Sequence, residues 1–192
     1  RQASLGIAKK EELNKHIKTF TKKGFKKSNL DNELFKKLNS FYKEKKDKFT
    51  DEYVAGGFIQ SDISEVPSSL LDLTDDLRQD IHSSLKKPLE EWSQSNLEPT
   101  FVYGIRDYKE GAVLVPHRDR ENTHIISAII NIAKDVDEDW PLVIEDHFYR
   151  KHEIFLDPGE VVFYESARLL HGRPYPLNGK SFANIFCHYR PI

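Results

Sequence analysis

Three residues have the types and spacing to do chemistry together: His117 and Asp119 in the run Val115-Pro-His-Arg-Asp-Arg120, and His171 in Leu169-Leu-His-Gly-Arg-Pro174. Side chains two apart on a strand point to the same side, so His117 and Asp119 can offer an imidazole and a carboxylate to one point. His171 lies far along the chain, at the end of a strand-like run from Glu160, and a rolled-up sheet can return it to that point as a third ligand. Two histidines and one carboxylate on one face of an ion suit Fe(II), with the opposite face open to O2 and a substrate.

The tripeptide alone carries little weight, because a chain of this composition contains on the order of 0.6 His-x-Asp by chance. Its surroundings add to it. Tyr108 stands nine residues before His117, Lys180 nine after His171, and the interval between them is strand-like throughout.

The residues that must position this cluster divide near Pro99. Before it the apolar spacing is helical. From Asp31, a candidate N-cap, Leu34, Phe35, Leu38, Phe41 and Tyr42 recur on one face. Pro67-Ser-Ser opens a second helical region, in which Leu73, Leu77, Ile81 and Leu85 step by four until Pro88 interrupts the pattern. Phe20 to Phe25 reads as an edge strand or turn. After Pro99 the period changes to two, and strands are expected near 100–107, 112–119, 124–132, 141–145, 152–156, 160–165, 168–171 and 180–189. Asp157-Pro-Gly-Glu160 is a tight turn between two of them. About eight short strands make a jelly roll, so the expected class is α+β: one domain over 1–192, mainly helical support over 1–99 and a jelly-roll core over 100–192.

Tyr108-Lys-Glu-Gly-Ala-Val-Leu-Val-Pro-His-Arg-Asp119, Leu156-Asp-Pro-Gly-Glu-Val-Val-Phe-Tyr-Glu-Ser166, His171 and Gly179-Lys180 together resemble the catalytic domain of the prolyl 4-hydroxylase branch of Fe(II)/2-oxoglutarate dioxygenases, over roughly residues 100–190. The resemblance implies a double-stranded β-helix. It also implies Fe(II) held by His117, Asp119 and His171, and 2-oxoglutarate as cosubstrate, and it admits ascorbate as an accessory reductant. Lys180 is the expected partner of the distal carboxylate of 2-oxoglutarate, although many relatives carry Arg there. Tyr108 falls on the family's tyrosine position, where its hydroxyl would meet the cosubstrate, and Asn131 would donate to the same carboxylate. Strand alternation from Lys180 places Phe182, Asn184, Phe186 and His188 in the pocket. Arg173, two after the distal ligand, could hold a carbonyl or carboxylate of the substrate, or equally anchor the proline-rich turn that follows it. The implied reaction is hydroxylation of a prolyl residue in a peptide or protein by O2, with 2-oxoglutarate decarboxylated to succinate and CO2. The segments 53–62 and 120–123 would wall the substrate groove.

Three other readings compete. The substrate of the same chemistry could be a free amino acid or another small molecule. The same three ligands could hold zinc in a hydrolase, which would have no need of a dicarboxylate pocket. A non-catalytic peptide-binding barrel is the third, and it gives no reason for an intact ligand set.

Composition narrows the remaining classes. Hydrophobic residues make up 38% of 192, far from the disordered range, and no apolar run has the length of a membrane span. No signal-peptide core is visible at Arg1, yet the chain holds no Met, so a removed leader stays open. The single cysteine, Cys187, excludes an internal disulfide and reads as a buried thiol. Residues 1–48 carry 15 Lys and Arg against 6 Asp and Glu, or +9, leaving 14 against 25, or −11, for the rest. Most of these lysines alternate with apolar residues as the wet side of a helix, and no aromatic-basic recognition motif accompanies them, which argues against a nucleic-acid partner. His16, His82, His147 and His152 have no ligand spacing. His124 is close enough in sequence to the His-x-Asp loop to stand behind it.

Overall fold

In a computed structural model, residues 6–192 are described. Two sheets face each other. The larger, eight-stranded sheet runs β1 (Phe25–Asn29), β11 (Glu160–Tyr164), β8 (Ile126–Val136), β13 (Gly179–Pro191), β6 (Ile105–Lys109), β4 (Ser68–Leu71) and β2 (Thr50–Asp51), with β5 (Leu97–Val102) also paired to β13. The smaller is ordered β10 (Lys151–Ile154), β9 (Leu142–Glu145), β12 (His171–Arg173), β7 (Val113–His117) and β3 (Ile59–Gln60). All pairings are antiparallel.

Alternation along β8 and β13 sorts side chains between two cores. Ala128, Ile130, Ala183, Ile185 and Cys187 face outward into a layer shared with helices α2 (Asn32–Glu44) and α3 (Asp75–Ser93). Ile129, Phe182 and Phe186 face inward, where they meet Tyr108, Trp140, Leu142 and Tyr164 between the sheets. The inner space is therefore largely filled, and function is confined to its mouth and the polar groups set among these rings.

Helix α2 starts as its sequence indicates: the Asp31 carboxylate accepts from Leu34 N at 3.0 Å, and Leu34, Leu38 and Tyr42 are buried. Residues 67–72 depart from expectation. Ser68–Leu71 form β4 and pair with β6, and α3 begins only after Thr74, whose hydroxyl accepts from Leu77 N. Here a free edge of the sheet competes with a weak helix start, and the better cap at Thr74, followed by Asp75 and Asp76, sets the boundary. Pro88 lies inside α3 without ending it, because Leu85 and Leu89 on either side are buried against the sheet. The support region 1–99 is thus mixed, contributing α1 (Ile7–Asn14), α2, α3 and the strands β1 to β4. The turn at 157–160 forms as expected, with Gly159 at φ +89° and Glu160 N donating to Asp157 O at 2.9 Å.

Candidate metal centre and its pocket

β7 and β12 are neighbours in the small sheet, and their pairing sets His171 directly opposite His117. This close approach depends on Gly172. A Cβ there would stand 2.7 Å from Leu114 O and from Pro116 Cα. The two imidazole centroids are 4.6 Å apart, and Asp119 Oδ1 lies 3.2 Å from His117 Nε2 and 3.4 Å from His171 Nε2. One ligand atom from each residue falls within 4.8 Å of the others. The three sequence candidates are therefore brought together.

The protons at this cluster can be counted. His117 Nδ1 bonds Val115 O at 2.7 Å and His171 Nδ1 bonds Leu169 O at 2.8 Å. A carbonyl only accepts, so both Nδ1 atoms carry hydrogen, and in neutral rings both Nε2 atoms present lone pairs toward Asp119. Three lone-pair groups converging without a donor need a cation between them, either protons or a metal ion. Asp119 is buried, which alone would raise its carboxyl, but the facing His171 and His117 outweigh burial and hold it well below the usual range. His117, by contrast, is raised despite burial, through its contact with Asp119. The donor set fits a divalent metal with His ligation through Nε2, each ring oriented by a backbone carbonyl.

Behind the cluster lies a buried cation. Arg173, two residues beyond His171, is 1% exposed. Its guanidinium sits 4.9 Å from the Trp140 centroid and 4.7 Å from that of Phe182, and Nη1 donates to Trp140 O at 2.8 Å. With its amide oriented to accept, Asn184 takes a bond from Nη2 at 3.1 Å. No carboxylate pairs with this group among the described residues, and burial pushes it down to about 10. Among the described residues the buried Tyr108 hydroxyl has no hydrogen-bond partner either. A second guanidinium, Arg106, is differently placed. It holds Glu52 through two bonds of 2.7 and 3.1 Å, so its charge is met.

The remaining expectations separate here. Lys180 does not enter the barrel; it is exposed. In the pairing with β8 it is the extra residue of a bulge, since Gly179 and Ser181 face the consecutive residues Val136 and Asp135, and a bulged residue leaves the alternation. Tyr108 is inside the barrel, edge-on to Trp140. Asn131 is fully buried across a second bulge, its amide beside that of Asn184 rather than in the open pocket. His147 and His152 do not approach the cluster; they bond the buried carboxylates of Glu165 and Asp146.

The pocket mouth, a cavity of about 290 Å³, is bounded by Val54 and Phe58 on one side and by Arg118, Arg120 and His124 on the other, close to the walls expected at 53–62 and 120–123. His188 lines it as alternation predicts. Ser166 Oγ donates to His124 O, so Ser127 Oγ must donate to Ser166 and accept from His188 Nδ1. That leaves His188 Nε2 as an acceptor at the pocket wall. Burial pushes His188 down to about 3, so it is neutral there. The links through Ser127 and Ser166 join positions far apart in sequence and had no signal in it.

A scan of protein-family models and a search of curated proteins return no match. Solved structures do match. SnoN, a non-heme alpha-ketoglutarate-dependent epimerase from nogalamycin biosynthesis, aligns with TM-score 0.68 at 12% identity over 96% of this chain and 84% of its own. HygX from Streptomyces hygroscopicus, with nickel, 2-oxoglutarate and hygromycin B bound, aligns at 0.62 and 13%, over 88% and 83%. A Pseudomonas putida prolyl-4-hydroxylase aligns at 0.57 and 16%, over 88% and 94%. The chain shares the fold of these three proteins.

Proposed function

We propose that the chain is an Fe(II)/2-oxoglutarate-dependent oxygenase that hydroxylates a prolyl residue in a peptide or protein. The observation that carries the oxygenase reading is the pairing on one short strand of a convergent lone-pair ligand, His171, with a buried guanidinium that lacks an anion, Arg173. A burial of this kind is costly unless an anion arrives. A zinc hydrolase would use the first and leave the second unexplained.

His117, Asp119 and His171 would hold the iron. Arg173 would take the distal carboxylate of 2-oxoglutarate, replacing Lys180 in that role, with the free Tyr108 hydroxyl donating beside it and Asn131 supporting Asn184 behind. When bound, iron and 2-oxoglutarate supply the oxidising chemistry, O2 being consumed and succinate and CO2 released. The protein's part is to orient and shield. The rings of Tyr164 and Phe186 line the way in from the mouth, and Phe58 packs on His117 at 5.0 Å, which limits water at that ligand.

For the substrate, the open mouth favours a peptide. Its volume of about 290 Å³ stands at the lower edge of the range for pockets that enclose whole ligands, and it would admit one ring-sized side chain with the remaining chain outside. Incubation with Fe(II), 2-oxoglutarate and proline-containing peptides, followed by mass spectrometry, tests both parts. Succinate should form faster with peptide, and the peptide should gain one oxygen on a prolyl ring. Oxidation of free proline alone would move the substrate to the small molecules, and absence of succinate under all conditions would overturn the oxygenase.

A further inference from the structure

Charge around the pocket leaves a remainder. On the proposed oxygenase reading, a divalent ion and the 2-oxoglutarate dianion cancel, as do Asp119 and Arg173. Arg106 is matched by Glu52. His188 and His124 contribute no charge, both being lowered by burial. Two cations remain at the mouth, Arg118 and Arg120, flanking Asp119 in sequence and both lining the cavity. Neither is in an ion pair among the described residues. Arg118 is tethered through Nε to Arg168 O at 3.0 Å, which leaves its terminal nitrogens free of that bond. The next acidic residue after Asp119, Glu121, is turned to His16 at 3.1 Å. Asp119 is the only carboxylate lining the cavity among the described residues, and it belongs to the metal cluster.

We propose that the substrate is anionic beside the oxidised carbon, its carboxylate received by Arg118 and Arg120. An arginine fork matches a carboxylate with two parallel bonds, and two such cations at a narrow mouth also draw anions toward it. A carboxylate can come from an acidic side chain next to the proline of a peptide, or from a free imino acid. The wall beyond His124 favours the peptide. Phe101 and Tyr103 stack there with centroids 5.7 Å apart and planes 14° from parallel, and Phe101 is 45% exposed. This platform carries the site outward beyond the reach of a free amino acid.

The inference rests on the oxygenase reading for its charge count, so the test separates the two by measuring binding without turnover. Protein loaded with zinc and 2-oxoglutarate is titrated with matched ligands: a peptide with Asp beside proline against the same peptide with Asn, and free proline against prolinamide. The Asp peptide should bind about ten-fold more tightly than the Asn peptide, as one charge-assisted contact implies. Salt should reduce the difference, and R118Q/R120Q should erase it. A preference shown only by free proline keeps the anion site and overturns the peptide source. Equal binding of acid and amide in both pairs, or a preference that survives R118Q/R120Q, overturns the inference. If the acid preference holds while the iron form makes no succinate, the anion site stands and the oxygenase reading falls.

Discussion

His117 and His171, opposite each other across β7 and β12, are held in the same way: each ring is fixed through Nδ1 to the carbonyl two residues before it, and each turns Nε2 to the same oxygen of Asp119. A backbone carbonyl selects the tautomer of each ring without help from another side chain. The candidate metal site is therefore built by strand geometry, and its orientation should survive loss of any one ligand.

H117A, D119A and H171A should each abolish stoichiometric iron binding while circular dichroism stays that of the native chain. Iron content after dialysis and the rise in Tm on adding metal report this, the rise vanishing in the variants. Retention of iron by any of the three would remove that residue from the ligand set.

R173A and K180A should behave oppositely. Losing Arg173 removes charge-assisted contacts worth about 1.5 to 3 kcal/mol, so the 2-oxoglutarate requirement should rise about ten- to a hundred-fold with iron affinity unchanged. K180A should leave the requirement where it was, since Lys180 is exposed. Titration of 2-oxoglutarate in both variants decides between the two cations.

Asp146 gives the fold an acid limit. Its carboxylate is buried, which would raise it, but bonds from His152, from the backbone N–H of Arg150 and Phe148 and from the Arg150 side chain bring it down to about 2. A depressed carboxyl contributes stability that is complete above its unfolded value near 4 and is lost as pH falls through the folded value. The contribution at neutral pH is about 2 kcal/mol. Urea midpoints should drop between about pH 4 and pH 2 in the parent chain, and this part of the drop should be missing in D146N.

S127A should cost about 1 to 3 kcal/mol, because it leaves the buried His188 N–H without an acceptor. A lower urea midpoint with unchanged slope would show the loss. An unchanged midpoint would mean that the His188 tautomer is not held by Ser127.

Some of this molecule is written locally. The cap at Asp31, the turn at Asp157-Pro-Gly, the two-residue period after Pro99 and the His-x-Asp pair all depend on neighbours a few residues apart, and the sequence by itself determined them. It also determined that Phe182, Phe186 and His188 share the inner face of β13, since the extra residue of the second bulge, Ile132, lies on β8 and leaves alternation along β13 intact. Which cation enters the barrel was decided by tertiary structure. Lys180 and Arg173 both stand at plausible distances after His171, but alternation says nothing of a bulge, and the bulge at Lys180 appears only when β13 is laid against β8. Likewise the start of α3 was displaced by a strand that exists because β6 offers it an edge. The Ser166–Ser127–His188 chain joins three strands or loops that no spacing connects. Periodicity records which side of a strand a residue prefers; register between distant strands, and so the partner each buried polar group finds, is settled only when the sheets close.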